Sequence, residues 1–225
     1  MYIDFIVNKT DVSDIELKDA LTKVLTFSNL INSITVPYYY LKTAKALISE
    51  NYNQDIALSC LIDYPMGISD LKTRQFAVSQ AIKGGATAID ICMPQNLAAN
   101  RKYDKIREDI KNISDLSLDK NIKYRYILEY RNFDHHCLKK ICEIFENFNI
   151  QYVFPSSGYF IDNLADNIIA GVFLHQNSKN LNIICTGDAW TEKHFATVNK
   201  SGLFGIRLSS YHVLKNFLTF NYTQS

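Results

Sequence analysis

Two kinds of hydrophobic pattern alternate along the chain. Short runs dense in apolar, β-branched and aromatic residues read as strands: Tyr2–Val7, Ser33–Val36, Asp55–Ile62, Ala88–Met93, Tyr124–Glu129, Gln151–Phe154, Asn182–Cys185 and Gly205–Leu208. Between them, apolar residues recur at the three- and four-residue spacing of an amphipathic helix. These segments are Asp14–Ser28, Tyr39–Glu50, Asp70–Lys83, Tyr103–Leu116, His135–Asn147, Asp162–His175, Thr191–Lys200 and Tyr211–Phe220. Helix punctuation agrees: Asp134 and Asp162 stand where caps belong, and Gly84, Gly85 and Gly202 follow helix ends.

Eight strand–helix pairs in 225 residues match the period of an α/β (β/α)8 TIM barrel, which needs about 200 residues or more. A doubly wound open sheet is the competitor. It usually stops at five or six strands and places a glycine-rich phosphate loop after the first; here Asn8-Lys-Thr-Asp11 follows instead. No linker, repeat or low-complexity tract interrupts the pattern. Residues 1–220 are expected to form one barrel domain, and the polar tail 221–225 to fray.

Composition narrows the partners. With 47% hydrophobic and 21% charged residues and a formal net charge of +1, nothing in the bulk electrostatics favours nucleic acid or an acidic membrane. No run reaches the roughly 18 apolar residues of a membrane span. The opening Met1-Tyr-Ile-Asp-Phe-Ile6 reads as a strand, not a signal peptide, so a cytoplasmic protein is expected. The five cysteines form no C-x-x-C pair, which points to buried free thiols with neither disulfides nor a metal site. No cofactor is implied, the expected partner is a small molecule, and self-association as a homodimer stays open.

In such a barrel, chemistry belongs at the carboxyl ends of the strands. Those positions hold Asp4, Asn8 and Lys9; Thr35; Cys60 and Asp63; Asp90 and Cys92; Arg125 and Glu129; Ser156 and Ser157; Cys185, Thr186 and Asp188; and Arg207, Ser209 and Ser210. Side chains alternate along a strand, so Asp90 shares a face with Cys92, and Arg125 shares one with Ile127 and Glu129. An inward Asp90 needs a partner to be tolerated, Arg125 or nearby hydroxyls. It is either a general acid/base or one end of a structural ion pair.

Several ordered motifs then resemble one family, the deoxyribose-phosphate aldolases. They are Tyr2-Ile-Asp4 with Lys9, Ile34-Thr-Val-Pro37, Leu61-Ile-Asp-Tyr-Pro-Met-Gly67, Lys83-Gly-Gly-Ala-Thr-Ala-Ile-Asp90, Arg125-Tyr-Ile-Leu-Glu129, Ser156-Ser-Gly158 and Ser209-Ser210. The resemblance implies cleavage of a sugar phosphate through a Schiff base, with a reactive lysine on strand 6, a second on strand 7, and an aspartate on strand 4 that moves protons. By position the aspartate is Asp90. The two lysines fall on Phe154 and Ile184, neither of which can form the adduct. The family's phosphate glycines also change: Gly187-Asp188 and Arg207-Leu-Ser-Ser210 stand in their place, Asp188 repelling a phosphate and Arg207 attracting one.

Three readings follow. The barrel performs acid/base chemistry without a Schiff base, using Asp90, Arg125 and Glu129 as catalytic groups. Asp4, Asp63, Cys92, Ser156, Ser157, Thr186, Arg207, Ser209 and Ser210 then bind a small, phosphorylated or otherwise polar carbonyl substrate. Alternatively it is an inactive pseudo-aldolase that binds a ligand or a partner subunit, or a covalent enzyme using Lys9, Cys92 or Cys185. Tyr38-Tyr-Tyr40 reads as helix packing or as the lining of a pocket for a planar ligand. Trp190 reads as a lid, and His135-His136 as exposed cap neighbours.

Overall fold

A computed structural model of the chain describes residues 1–51, 55–117, 121–160, 163–187 and 189–224; Asp162 and Asp188 lie outside the described residues. Eight parallel strands close on themselves in chain order. They are β1 (Tyr2–Ile6), β2 (Ser33–Pro37), β3 (Ala57–Ile62), β4 (Ala88–Cys92), β5 (Lys123–Ile127), β6 (Tyr152–Phe154), β7 (Asn182–Thr186) and β8 (Gly205–Leu208), with β8 pairing back onto β1. The helices α1 (Asp14–Leu25), α2 (Leu41–Ser49), α3 (Leu71–Gly84), α4 (Gln95–Ala99), α5 (Tyr103–Ser114), α6 (His135–Asn147), α7 (Leu164–Gln176), α8 (Glu192–Lys200) and α9 (Tyr211–Gln224) form the outer ring. Among the described residues no helix is long and apolar enough to cross a membrane.

Alternation along each strand separates two cores. Residues facing the helices, such as Phe5, Ile34, Ile89, Tyr126 and Ile206, join the helices' apolar faces in one continuous cluster. Inward residues form a second, smaller cluster of Ile6, Leu61, Cys92, Ile127, Phe154 and Ile184. Helix starts are set by caps: Ser13 closes a capping box on α1, and Asp70, Asp134 and Thr191 accept the N3 amides of α3, α6 and α8.

Departures from the expected elements have local causes. β5 ends at Ile127, short of Glu129, because Glu129 adopts the left-handed region (φ 55°, ψ 62°) and turns the chain. Tyr38–Tyr40 forms a 3-10 turn ahead of α2. α4 is an additional element, and its five residues are too few to show a period. Asn163 caps α7. α9 continues to Gln224, so the tail expected to fray is helical; Asn199 of α8 donates to the Asn221 side chain there at 2.7 Å.

A buried arginine ties the helix ring to the strand ends. Arg74 of α3 is 1% exposed and donates to Asp109 of α5 (3.0 and 3.1 Å), to Asp63 after β3 (2.7 Å) and to the Cys92 carbonyl of β4 (2.8 Å). Replacing it with Met strands two carboxylates. We expect Arg74→Met to lower unfolding free energy by about 3–5 kcal/mol in urea denaturation; an unchanged midpoint would show that the network carries no stability.

Candidate functional site

The centre of the barrel is ionic. Asp4 (β1), Asp90 (β4), Arg125 (β5) and Arg207 (β8) point inward and are at most 2% exposed. Arg125 holds Asp90 with two nitrogens, Nε to Oδ1 at 2.5 Å and Nη2 to Oδ2 at 2.9 Å, and reaches Asp4 Oδ1 at 3.1 Å. Arg207 donates Nε to Asp4 Oδ2 at 2.5 Å and Nη2 to Asp90 Oδ2. Hydroxyls fill the remaining positions. Ser59 donates to Asp90 (2.6 Å), Ser33 and Thr35 donate to Asp4, and Arg125 also donates to Ser33 (2.9 Å), Thr35 (2.8 Å) and Tyr2 (3.2 Å). Two positive and two negative charges cancel, and the hydrogen bonds satisfy most of the donors and acceptors. Burial disfavours the charged form of Asp4, but Arg125 and Arg207 outweigh it and hold the carboxyl at about 2.

An apolar layer covers these charges on the mouth side. Two residues beyond Asp4, Ser59, Asp90 and Arg125 on their strands come Ile6, Leu61, Cys92 and Ile127, and these close together with Phe154 and Ile184. The Phe154 ring packs against both guanidiniums, with the Arg207 carbon 3.6 Å and the Arg125 carbon 5.2 Å from its centroid. The cationic side of the barrel therefore comes from β5 and β8, while β6 and β7 contribute only hydrocarbon there.

At the strand ends, several expected ligand residues turn out to hold loops. Asp63 accepts from the Ser69 amide and hydroxyl and from Arg74, so its carboxylate anchors the β3–α3 loop. Glu129 accepts the Ser157 amide at 2.5 Å and ties the end of β5 to the β6 loop. Ser156 and Thr186 share a 2.7 Å hydrogen bond and both accept from Asn167 of α7, whose carbonyl oxygen also receives the Thr186 amide. Ser210 caps the first turn of α9, accepting from the Val213 and Leu214 amides. Cys92 lies in the apolar layer, where burial pushes its thiol well up, while Cys185 faces the helices and is pushed up to about 12 by burial. Burial disfavours the thiolate of each, which weighs against either as a nucleophile.

Three cavities open at the mouth. One of 220 Å³ is lined by Asn8, Ser157, Gly158, Phe160, Thr186, Gly187, Trp190, Arg207 and Ser209. Gly158 (φ 70°) and Gly187 (φ 127°) line it in backbone conformations that suit glycine. A second, of 680 Å³, lies over β1–β3 and is walled by Tyr39, Tyr40, Tyr64 and Tyr159, with Lys9 and Asp63 at its edge. A third, of 700 Å³, runs behind the β1 loop past Lys9, Ser209 and Ser210. Asp90, Arg125 and Glu129 line none of the three. Of the ionic layer, Arg207 lines the 220 Å³ cavity, and its buried Nη1 has no hydrogen-bond partner among the described residues.

Ser33, Ser59, Asn167 and Arg74 were not singled out from the sequence. A signal existed for Ser33 and Ser59, which are small hydroxyl residues at inward strand positions. Asn167 follows Asp166 and immediately precedes the apolar run Ile168–Leu174 of its helix.

The closed eight-stranded parallel barrel is a fold shared with TIM-barrel aldolases. No family model matches the sequence. Deoxyribose-phosphate aldolase 1 of Mesoplasma florum is 25% identical over 158 residues, 70% of this chain and 69% of that one. The deoxyribose-phosphate aldolase of Caldicellulosiruptor saccharolyticus is 24% identical over 159 residues, 70% of each. Among solved structures, QR15, an aldolase, superposes with a TM-score of 0.86 at 18% identity, covering 100% of this chain and 97% of that one. Curated relatives named deoxyribose-phosphate aldolase, 25% and 24% identical over 70% of the chain, support a place in that family.

Two measurements test the ionic layer. Asp90→Asn leaves two buried guanidiniums sharing one carboxylate, and should cost about 3–5 kcal/mol, roughly 10 °C in melting temperature for a chain of this length. Arg125→Met should cost a similar amount, and the double variant no more than the worse single one; a wild-type melting temperature for Asp90→Asn would refute the coupling. The depressed Asp4 carboxyl stabilises the fold fully above its unfolded value near 4, and that contribution is lost as pH falls through about 2. The stability difference between wild type and Asp4→Asn should therefore be constant from neutral pH to about 5 and narrow below about 4, read from urea midpoints at each pH.

Proposed function

We propose that this protein is a divergent aldolase-family barrel that binds a small phosphorylated molecule at the mouth of β6, β7 and β8 and has given up Schiff-base cleavage. The observation that carries the reading is the apolar layer over Asp90. Phe154 and Ile184 stand where the family's two lysines are expected, and no lysine is buried among the described residues. A carbonyl reaching the layer over Asp90 would meet hydrocarbon, with no lysine or carboxylate among the described residues of that layer.

A seat for a phosphate group is supported by three features around the 220 Å³ cavity. Arg207 offers an unused, buried N–H, a charge-assisted donor to an oxyanion. Ser209 lies just ahead of the fourteen-residue α9, whose first turn presents amides and the positive end of its dipole. Gly158 and Gly187 bring bare backbone to the cavity wall.

Acid/base catalysis by Asp90, with Arg125 and Glu129 assisting, is the second reading, and one contact favours it. Arg207 touches both Asp90 and the cavity. A ligand that drew its guanidinium toward the mouth would loosen the grip on Asp90 and free a lone pair for proton transfer.

Borohydride added with acetaldehyde or 2-deoxyribose 5-phosphate should leave the intact mass unchanged; a stoichiometric adduct would overturn the reading and point to Lys9. Isothermal titration should show saturable binding of 2-deoxyribose 5-phosphate, weakened at least about tenfold, or 1.4 kcal/mol, by Ser209→Glu. Release of acetaldehyde from that sugar phosphate, abolished by Asp90→Asn in a folded protein, would favour the second reading.

A further inference from the structure

The 680 Å³ cavity over β1–β3 is built from two pairs of tyrosines. In each pair one ring is anchored and the other exposed. Tyr40 donates its hydroxyl to the Val12 carbonyl at 2.6 Å, and the 76% exposed Tyr39 packs edge-on against it at 5.2 Å. Tyr64 donates to the Ser157 carbonyl at 3.1 Å and accepts from the Asn8 amide at 3.2 Å; the 48% exposed Tyr159 packs edge-on against it at 5.9 Å. Exposed aromatic rings scattered singly need no explanation, but two exposed rings, each backed by an anchored one, around one concavity, with exposed Met66 and Ile68 beside them, mark a binding surface. The anchored rings have already lost their rotamer freedom, so a planar group entering between the pairs meets preorganised faces. Lys9, Asn8 and Ser69 at the edge supply polar partners of the kind a heteroaromatic ring carries.

Asn8 lines both this cavity and the 220 Å³ one beneath Arg207. The Asn8–Tyr64–Ser157 chain of hydrogen bonds is the wall they share. A ligand spanning the two would carry a phosphate at one end and a planar ring at the other, with a short polar connector passing Asn8. We propose that the tyrosine-walled cavity and the Arg207 cavity together form one site for a phosphate monoester bearing a planar heteroaromatic ring, of which a nucleoside 5′-monophosphate is the representative. The proposal rests on the phosphate seat described above and names what else the ligand carries. Stacking on the tyrosines should add about tenfold or more in affinity over the same phosphate without a base.

Calorimetric titration of the full chain with ribose 5-phosphate, adenosine 5′-monophosphate, uridine 5′-monophosphate and adenosine separates the two claims. The expected result is that at least one nucleotide binds about tenfold or more tighter than ribose 5-phosphate, and that Tyr39→Ala with Tyr159→Ala erases this advantage. Both substitutions are at exposed rings, so circular dichroism should confirm that the variant folds. Binding of ribose 5-phosphate with no gain for either nucleotide overturns this inference and leaves the phosphate seat standing. A nucleotide advantage that survives the double substitution also overturns it. If no phosphate binds, or adenosine binds as tightly as its monophosphate, the phosphate seat falls and this inference falls with it.

Discussion

Asp4 and Asp90 face Arg125 and Arg207 across the middle of the barrel, and each carboxylate is shared by both guanidiniums. A buried charge is tolerable only if nearly all its hydrogen-bonding capacity is used, and removing one partner costs more than the pair contributes. The consequence spreads around the sheet. β1, β4, β5 and β8 each supply one charge, β2 and β3 supply the hydroxyls that fill the leftover positions, and the register of the closed sheet brings the six together. A slip of one residue on any of these strands would turn its polar side chain into the apolar shell beneath the helices. The ion network thus specifies the closure of the barrel as well as contributing to its stability.

The same arrangement constrains chemistry. Strands 6 and 7 contribute Phe154 and Ile184 at the centre, so the cations that neutralise the carboxylates must come from elsewhere, and they come as guanidiniums from β5 and β8. A guanidinium stays protonated at any physiological pH and cannot become a nucleophile. Its flat face packs against Phe154, which would be unfavourable surroundings for an ammonium that needs a full shell of acceptors. Phe154 and the two arginines form one mutually dependent set. A lysine placed at Phe154 alone would bring a third cation beside two carboxylates that are already neutralised, so amine chemistry at this position would require several coordinated substitutions.

The barrel was legible because strands that are covered on both faces read as short, dense apolar runs, and eight of them at regular spacing leave few alternatives. Asp90 and Arg125 could be paired from the need to neutralise an inward acid. The wider network could not be read. Arg207 lies 203 residues from Asp4 and 117 from Asp90, and only the closed sheet shows that two of its nitrogens face inward while the third is left over. Asp63 and Glu129 carried the residue type and the strand-end position of ligand groups. What assigned them to loops was left-handed backbone at both positions (φ 54° and 55°), which turns the chain and directs each carboxylate to a nearby amide. Such conformations are uncommon for residues other than glycine and leave little trace in the sequence.

Arg207 links the mouth to the core. Its Nε and Nη2 belong to the ionic layer, its face rests on Phe154, and its remaining nitrogen lines the cavity by Ser209. An anion bound there competes with Asp4 and Asp90 for the same delocalised charge, so occupancy of the mouth and strength of the core are thermodynamically linked. The linkage has a definite sign. Any ligand that weakens the hold of Arg207 on the carboxylates gives back part of its binding energy as lost ion pairing, which limits how far it can draw the guanidinium outward. A ligand that instead satisfies the leftover N–H where it stands incurs no such loss, and it tightens the barrel as it binds.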